Sequence, residues 1–135
     1  MVTLSADHAA PGNELGIAID FALPPGSHLY GQPLPDNYIP LTIELAPELV
    51  ANQRFEFPKA TPIKFAALGE TLPAYTGKFR VTGRVLVKPG LKPGDNQLKG
   101  ALHFQECNDQ ICKLPQTVAF AMPLKIDPLQ FPARP

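Results

Sequence analysis

Two cysteines carry most of the chemistry available to this chain. Cys107 and Cys112 lie within FQECNDQICKLP, Phe104 to Pro115, and are its only thiols. If the residues before and after them form two arms of a hairpin, they flank the four-residue loop Asn108-Asp109-Gln110-Ile111. Directly opposed residues in such a pair stand ~4.5 to 5.5 Å apart at Cα, within reach of a disulfide. Two uses of that bond compete. A static staple over so short a loop stabilises by only ~2 kcal/mol on the chain-entropy model, against ~3 for fifteen residues; it is still the commoner use of a cysteine pair in a secreted β domain. The alternative is exchange, in which a partner's thiolate attacks one sulfur, forms a mixed disulfide and is released when a second cysteine resolves it.

Local charge separates the two sulfurs. Glu106 and Asp109 flank Cys107 and disfavour a thiolate there, whereas Lys113 follows Cys112 and favours one, so Cys112 is expected to be the sulfur that joins a partner. Side-chain alternation adds a constraint. Leu98, Leu102 and Phe104 share even parity, which turns His103, Gln105 and Cys107 to the other face, and Val118, Phe120, Met122 and Leu124 mark even numbers as inward on the returning arm too. Cys112 then has the wrong parity for a regular hairpin. One extra residue resolves the conflict, and Pro115, which cannot donate to a ladder, puts that bulge between Lys113 and Gln116.

The elements that hold this hairpin follow from the same two-residue period. In KFRVTGRVLVK (78–88), Phe79, Val81, Val85 and Val87 alternate with Arg80, Thr82 and Arg84; NELGIAIDFAL (13–23) and IPLTIEL (39–45) repeat the pattern. VTLSADH, PIKFAAL (62–68), NQLKGALHF (96–104) and TVAFAMPLKI (117–126) are further strands, separated by turn clusters such as LPPGS and KPGLKPGDN. APELVANQ (46–53) has room for a turn or two of helix. Some eight short strands predict an all-β, immunoglobulin-like β-sandwich, with a barrel as the alternative. One domain over residues 1–135 is expected, with 127–135 an irregular tail because its three prolines remove ladder donors.

Composition narrows the function. Lys+Arg and Asp+Glu balance at 12 each, so nothing draws the chain to nucleic acid or anionic lipid. No apolar run approaches the ~18 residues of a membrane span. The cysteine pair suits an oxidising compartment, periplasmic or secreted, with any targeting segment outside these residues. There is no G-x-S-x-G, no H-E-x-x-H and no glycine-rich phosphate loop, so hydrolase chemistry has little support; exchange between proteins through the cysteine pair needs neither a small-molecule substrate nor a cofactor, and none is expected. A metal site is not expected either: about four extended residues, ~13 Å, separate His103 from Cys107, while metal–ligand bonds are ~2.0 to 2.3 Å. His28 reads as a solvated loop residue or part of the aromatic segment SHLY. Tyr30 and Tyr75 are packing residues by default.

FQECNDQICKLP resembles the motif Y-Q-x-C-x-D-x-x-C-x-P-P of the amino-terminal periplasmic domain of the thiol:disulfide interchange protein DsbD family. Gln105, Cys107, Asp109, Cys112 and Pro115 match it; Phe104 and Leu114 depart from it. PPGSHLYGQPLPDNYIPLTIEL (24–45) and LPAYTGKFRV (72–81) resemble two further stretches of the family in the same order. The resemblance implies an immunoglobulin-like fold and a Cys107/Cys112 pair that acts as a protein-disulfide reductase, passing electrons from a membrane-embedded donor domain to thioredoxin-fold partners. It implies a lid over the sulfurs from Gly69 to Lys78, carrying Glu70 and Tyr75 with Tyr75 nearest, and a pocket that includes Tyr30, Asp109 and Pro115. Where family members often carry an aromatic residue in the lid, this chain has Leu72-Pro73-Ala74. A non-catalytic immunoglobulin-like binding or chaperone module with a structural hairpin disulfide is the competing function.

Overall fold

The computed structural model describes residues 2–34, 38–65, 69–108 and 111–128. Among them the chain is all β: β1 (Val2–Leu4), β2 (His8–Ala9), β3 (Glu14–Ala22), β4 (His28–Tyr30), β5 (Thr42–Leu45), β6 (Val50–Glu56), β7 (Thr61–Phe65), β8 (Glu70–Tyr75), β9 (Lys78–Val87), β10 (Gly94–Phe104), β11 (Glu106–Cys107) and β12 (Gln116–Ile126). They form three four-stranded sheets, ordered β1-β3-β9-β6, β2-β12-β10-β5 and β11-β4-β8-β7.

The first two sheets make the sandwich that the alternation predicts. Leu15, Ile17 and Ile19 of β3 and Val85 and Val87 of β9 turn inward at every second position. They are buried with Leu45 of β5, Leu98 of β10 and Leu124 and Ile126 of β12. The sheets are open, so the barrel alternative does not hold. VTLSADH divides between them: β1 pairs with β3 in the first sheet and β2 with β12 in the second. The segment 46–53 is not helical, because Val50–Glu56 pairs with β9 as an edge strand. Its alternation is masked by a register shift between Ala51 and Arg54, where Asn52 takes a positive φ of 54°.

The third sheet was not legible as such. Its strands β4 and β11 are three and two residues long, too short for a period to show. The sheet is attached through β4, whose two faces have different tasks. Leu29 is buried with Leu41 and with Val81 of β9, which ties the sheet to the sandwich. Tyr30, one residue on, points the opposite way into a second cluster with Phe65, Leu72, Ala74 and Cys107. A row of stacked rings reinforces the attachment: Tyr75 lies 4.8 Å from Phe79, and Phe79 lies 4.7 Å from Phe21.

Backbone bonds hold Tyr30 in place, since its carbonyl accepts from Leu41 N–H at 2.9 Å and the next amide, Gly31, donates to Pro73 O at 2.9 Å. A Cβ at position 31 would stand 2.6 Å from the Ala60 Cβ and 3.1 Å from the Tyr75 ring. Gly31→Ala is therefore expected to lose about 1–3 kcal/mol, the usual cost of overpacking a closed contact. An unchanged denaturant midpoint would show that β4 is free to move away from Ala60.

Candidate functional site

The cysteine hairpin is where the chain passes from one sheet to another. β10 and β12 pair without a break from Gly94↔Ile126 to Phe104↔Gln116. Beyond that point β11 leaves to pair with β4, setting Cys107 opposite His28, and the next contact between the arms is the isolated bridge Cys107↔Cys112. Two residues, Gln105 and Glu106, thus face three, Lys113 to Pro115. The extra residue required by parity lies in the expected segment. Lys113 N–H donates to Glu106 O at 2.9 Å and the Gln105 amide donates to Lys113 O at 3.2 Å, bracing the offset.

That switch of sheets reverses the expected fate of Cys107. Alternation continued from β10 would have turned it outward; as part of β11 it is 2% exposed, packed in the cluster of Tyr30, Phe65, Leu72 and Ala74. Cys112 is half-buried at the margin of the same cluster. The two form a disulfide with Cα atoms 4.0 Å apart. The loop is closed by Asn108, whose N–H donates to Ile111 O at 2.9 Å and whose side-chain oxygen accepts from Ile111 N–H at 2.8 Å.

Tyr30 lies over the bond. Its hydroxyl is 3.2 Å from Cys107 Sγ and 3.3 Å from Cys112 Sγ. A disulfide sulfur carries no hydrogen, so the hydroxyl is the donor, shared between the two sulfurs. The ring is fully buried, 5.3 Å from Phe65 and 5.3 Å from Tyr38. Tyr38 in turn donates to Glu70 Oε2 at 2.9 Å. Burial pushes the Tyr30 phenol above its ordinary range, with Tyr38 and Glu70 adding to the rise, so Tyr30 keeps its proton and stays a donor throughout the range in which thiols titrate.

The residues singled out in the sequence do not all converge here. Cys107, Cys112 and Tyr30 do, and Glu70 reaches the group through Tyr38. Tyr75 does not take the place nearest the sulfurs. It pairs with Leu29 while Ala74 pairs with Tyr30, so it stands on the opposite face of β8, where its hydroxyl donates to Pro58 O at 2.8 Å. The segment expected as a lid is the strand β8, and it contributes Leu72 and Ala74 to the wall around Cys107. Pro115 is exposed within the bulge, and Asp109 lies outside the described residues. His28 is not a solvated loop residue: it is part of β4, with its ring edge-on to Phe65 at 5.4 Å.

Phe65, Tyr38 and Ser27 were missed, and no local pattern in the sequence marks them as site residues; Leu72 lies within the expected lid, in Leu72-Pro73-Ala74. The local-charge reading also needs revision. Lys113 pairs with Glu106 at 3.5 Å, and Glu106 also accepts from Ser27 Oγ at 2.8 Å, so much of the lysine's field is met by that carboxylate. Exposure, rather than charge, separates the sulfurs: Cys107 is 2% exposed and Cys112 half-buried, with the Tyr30 hydroxyl within 3.3 Å of both.

A family model described as thiol:disulfide interchange protein DsbD, N-terminal, matches residues 2–124. A search of curated proteins returns no match. Among solved structures the chain is similar to the N-terminal periplasmic domain of ScsB from Proteus mirabilis, at 16% identity and a TM-score of 0.60 over 93% of this chain and 44% of that one. It thus spans less than half of that structure, and the likeness is one of fold. It is also matched to the Neisseria meningitidis DsbD n-terminal domain in the reduced form, at 14% identity and a TM-score of 0.45, over 93% of this chain and 90% of that one.

Tyr30→Phe removes the donor and leaves the packing. A hydrogen bond to a charged acceptor contributes about 1.5–3 kcal/mol, so reduction of the disulfide by dithiothreitol is expected to slow by roughly tenfold or more; an unaltered rate would remove Tyr30 from the chemistry.

A second expectation concerns alkaline pH. Desolvation raises both Tyr30 and Tyr75. A raised folded-state value means that their contribution to stability is fully present below the ordinary tyrosine value near 10 and is lost as pH rises through the raised values. Denaturant midpoints are expected to fall above pH ~10, and to fall less in a Tyr30→Phe, Tyr75→Phe double variant.

Proposed function

The chain belongs to the DsbD N-terminal family of thiol:disulfide interchange domains, and from that premise we propose that it exchanges electrons with thioredoxin-fold proteins through Cys112, with Cys107 as the resolving sulfur. One observation carries this assignment: the bond joins a half-buried sulfur to one that is 2% exposed, so a bulky thiolate can attack at only one end.

With the pair oxidised, a partner thiolate attacks Cys112 Sγ along the S–S axis. A bond forms between the partner's sulfur and Cys112, the Cys107–Cys112 bond breaks, and its electron pair leaves on Cys107. The Tyr30 hydroxyl, 3.2 Å away, supports that charge until a proton arrives. The partner's second thiolate then attacks its own sulfur in the mixed disulfide and releases Cys112. The partner's dithiol has become a disulfide, and this chain has gained two electrons and two protons. Run in reverse, Cys112 of the reduced pair attacks an oxidised partner and Cys107 resolves the intermediate. Both directions use the same surface, which suits a shuttle between a membrane-embedded donor and soluble acceptors in the periplasm. Leu72, Ala74, Phe65 and Tyr30 keep water from Cys107, which protects the buried sulfur from indiscriminate oxidation.

Single Cys→Ser variants test the assignment against a thioredoxin-fold partner that lacks its own resolving cysteine and carries an activated sulfur. Cys107→Ser is expected to accumulate a covalent complex through Cys112, and Cys112→Ser to accumulate little. The opposite pattern would reverse the roles. Failure of both variants to form a complex would favour the static staple, and a reduction potential below about −300 mV would point the same way.

A further inference from the structure

We infer that Ile111 and Leu114 form an apolar docking rim around Cys112, made to fit a dithiol protein whose reactive cysteine is surrounded by apolar side chains; this rests on the exchange function proposed above. Among the described residues the large hydrophobic side chains left exposed are Phe57 at 37%, Ile111 at 62%, Leu114 at 84% and Val118 at 46%. Single exposed hydrophobic residues are ordinary on a protein surface. Here, however, the two most exposed stand one residue before and two residues after the sulfur that can be attacked.

Folding does not account for them. Leu114 occupies the three-residue side of the offset between Phe104↔Gln116 and Cys107↔Cys112, outside any ladder, and it is packed into none of the three hydrophobic clusters. A polar residue there would satisfy the bulge equally well. Ile111 closes the loop through its backbone, by accepting from Asn108 N–H and donating to the Asn108 side chain, and those bonds do not depend on its side chain. Both side chains are free of structural duty and face solvent.

The chemistry supplies the occupant. Attack on Cys112 must come from the side away from Cys107, and Cys107 is packed inward among Phe65, Leu72 and Ala74. A partner sulfur that comes within bonding distance of Cys112 therefore brings the surrounding protein down on the chain neighbours of Cys112. Among the described residues, the charge that lies between Cys112 and Leu114, Lys113, is paired with Glu106 at 3.5 Å. A partner that covers Ile111 and Leu114 buries hydrocarbon, which favours an apolar collar about the partner's cysteine over a charged one. Small thiols, which touch only the sulfur, gain nothing from this surface.

The test compares two reductants on the full chain: reduced thioredoxin, and dithiothreitol, which is too small to use the rim. In an Ile111→Ser, Leu114→Ser double variant the second-order rate constant with thioredoxin is expected to fall by roughly tenfold to a hundredfold, as for loss of one or two buried aliphatic side chains. The dithiothreitol rate should stay within about twofold of wild type. Leu114→Met, which keeps the apolar contact, should retain the wild-type thioredoxin rate. Phe57→Ser, an exposed hydrophobic residue removed from the hairpin, should also leave it unchanged. Equal thioredoxin rates in wild type and double variant would overturn the docking rim while leaving the exchange function intact. A parallel fall with both reductants would also overturn it, by assigning the side chains to the shape of the disulfide. A wild-type chain that reacts with thioredoxin no faster than with dithiothreitol would overturn the exchange reading, and the rim with it.

Discussion

Strands alternate their side chains with a period of two, and a chain that leaves one sheet for another must break that period somewhere. Here it is broken once at the hairpin, by three residues opposing two between the pairs Phe104↔Gln116 and Cys107↔Cys112. Most of the site depends on that offset. It frees β11 to pair with β4, it carries Cys107 from an outward-facing parity into a buried cluster, and it leaves Cys112 at the margin. A regular hairpin would have kept both arms in the second sheet, without the Tyr30 hydroxyl above the bond.

The two sulfurs are consequently unequal, and burial dominates the difference. A charge such as Lys113 acts weakly when it is exposed and already paired with a carboxylate, since surface ion pairs contribute about 0–1 kcal/mol. Loss of solvent around Cys107 is a larger effect, because a buried thiolate needs a donor in place of water. In the disulfide the Tyr30 hydroxyl donates to both sulfurs. Its own burial keeps it protonated, and its position is fixed by backbone bonds to Leu41 and from Gly31 to Pro73. The short strand β4 therefore does two things at adjacent residues: Leu29 fastens the third sheet to the sandwich and Tyr30 serves the disulfide. That arrangement leaves little room for independent motion of the tyrosine relative to the core.

The third sheet is also braced by aromatic stacking from Tyr75 through Phe79 to Phe21. Tyr75 is thus a structural residue of the site's support. Its distance from the chemistry follows from alternation along β8, where Leu72 and Ala74 face Cys107 and Tyr75 must face the other way. A resemblance in the order of motifs brought this segment to the cysteines. It named Tyr75 as the residue nearest them, and alternation along β8 puts Ala74 there instead.

The long strands β3, β9, β10 and β12, the two-layer core, the hairpin and the place of its bulge were all determined by the sequence alone, because each follows from local alternation over nine or more residues or from the missing donor of a proline. The motif around Cys107 and Cys112 likewise determined the family and the kind of reaction. Only the tertiary structure decided which side chains meet the sulfurs. β4 and β11 are too short to show a period, β6 hides its own behind a register shift, and the partners of Cys107 are separated from it by 33 to 77 residues of chain. Tyr30, Phe65 and Leu72 reach the disulfide by the pairing of strands remote in sequence, and such pairing is set by the packing of whole sheets. The exposure that distinguishes Cys112 from Cys107 belongs to the same level, since neighbouring charges along the chain say nothing about which sulfur the fold covers.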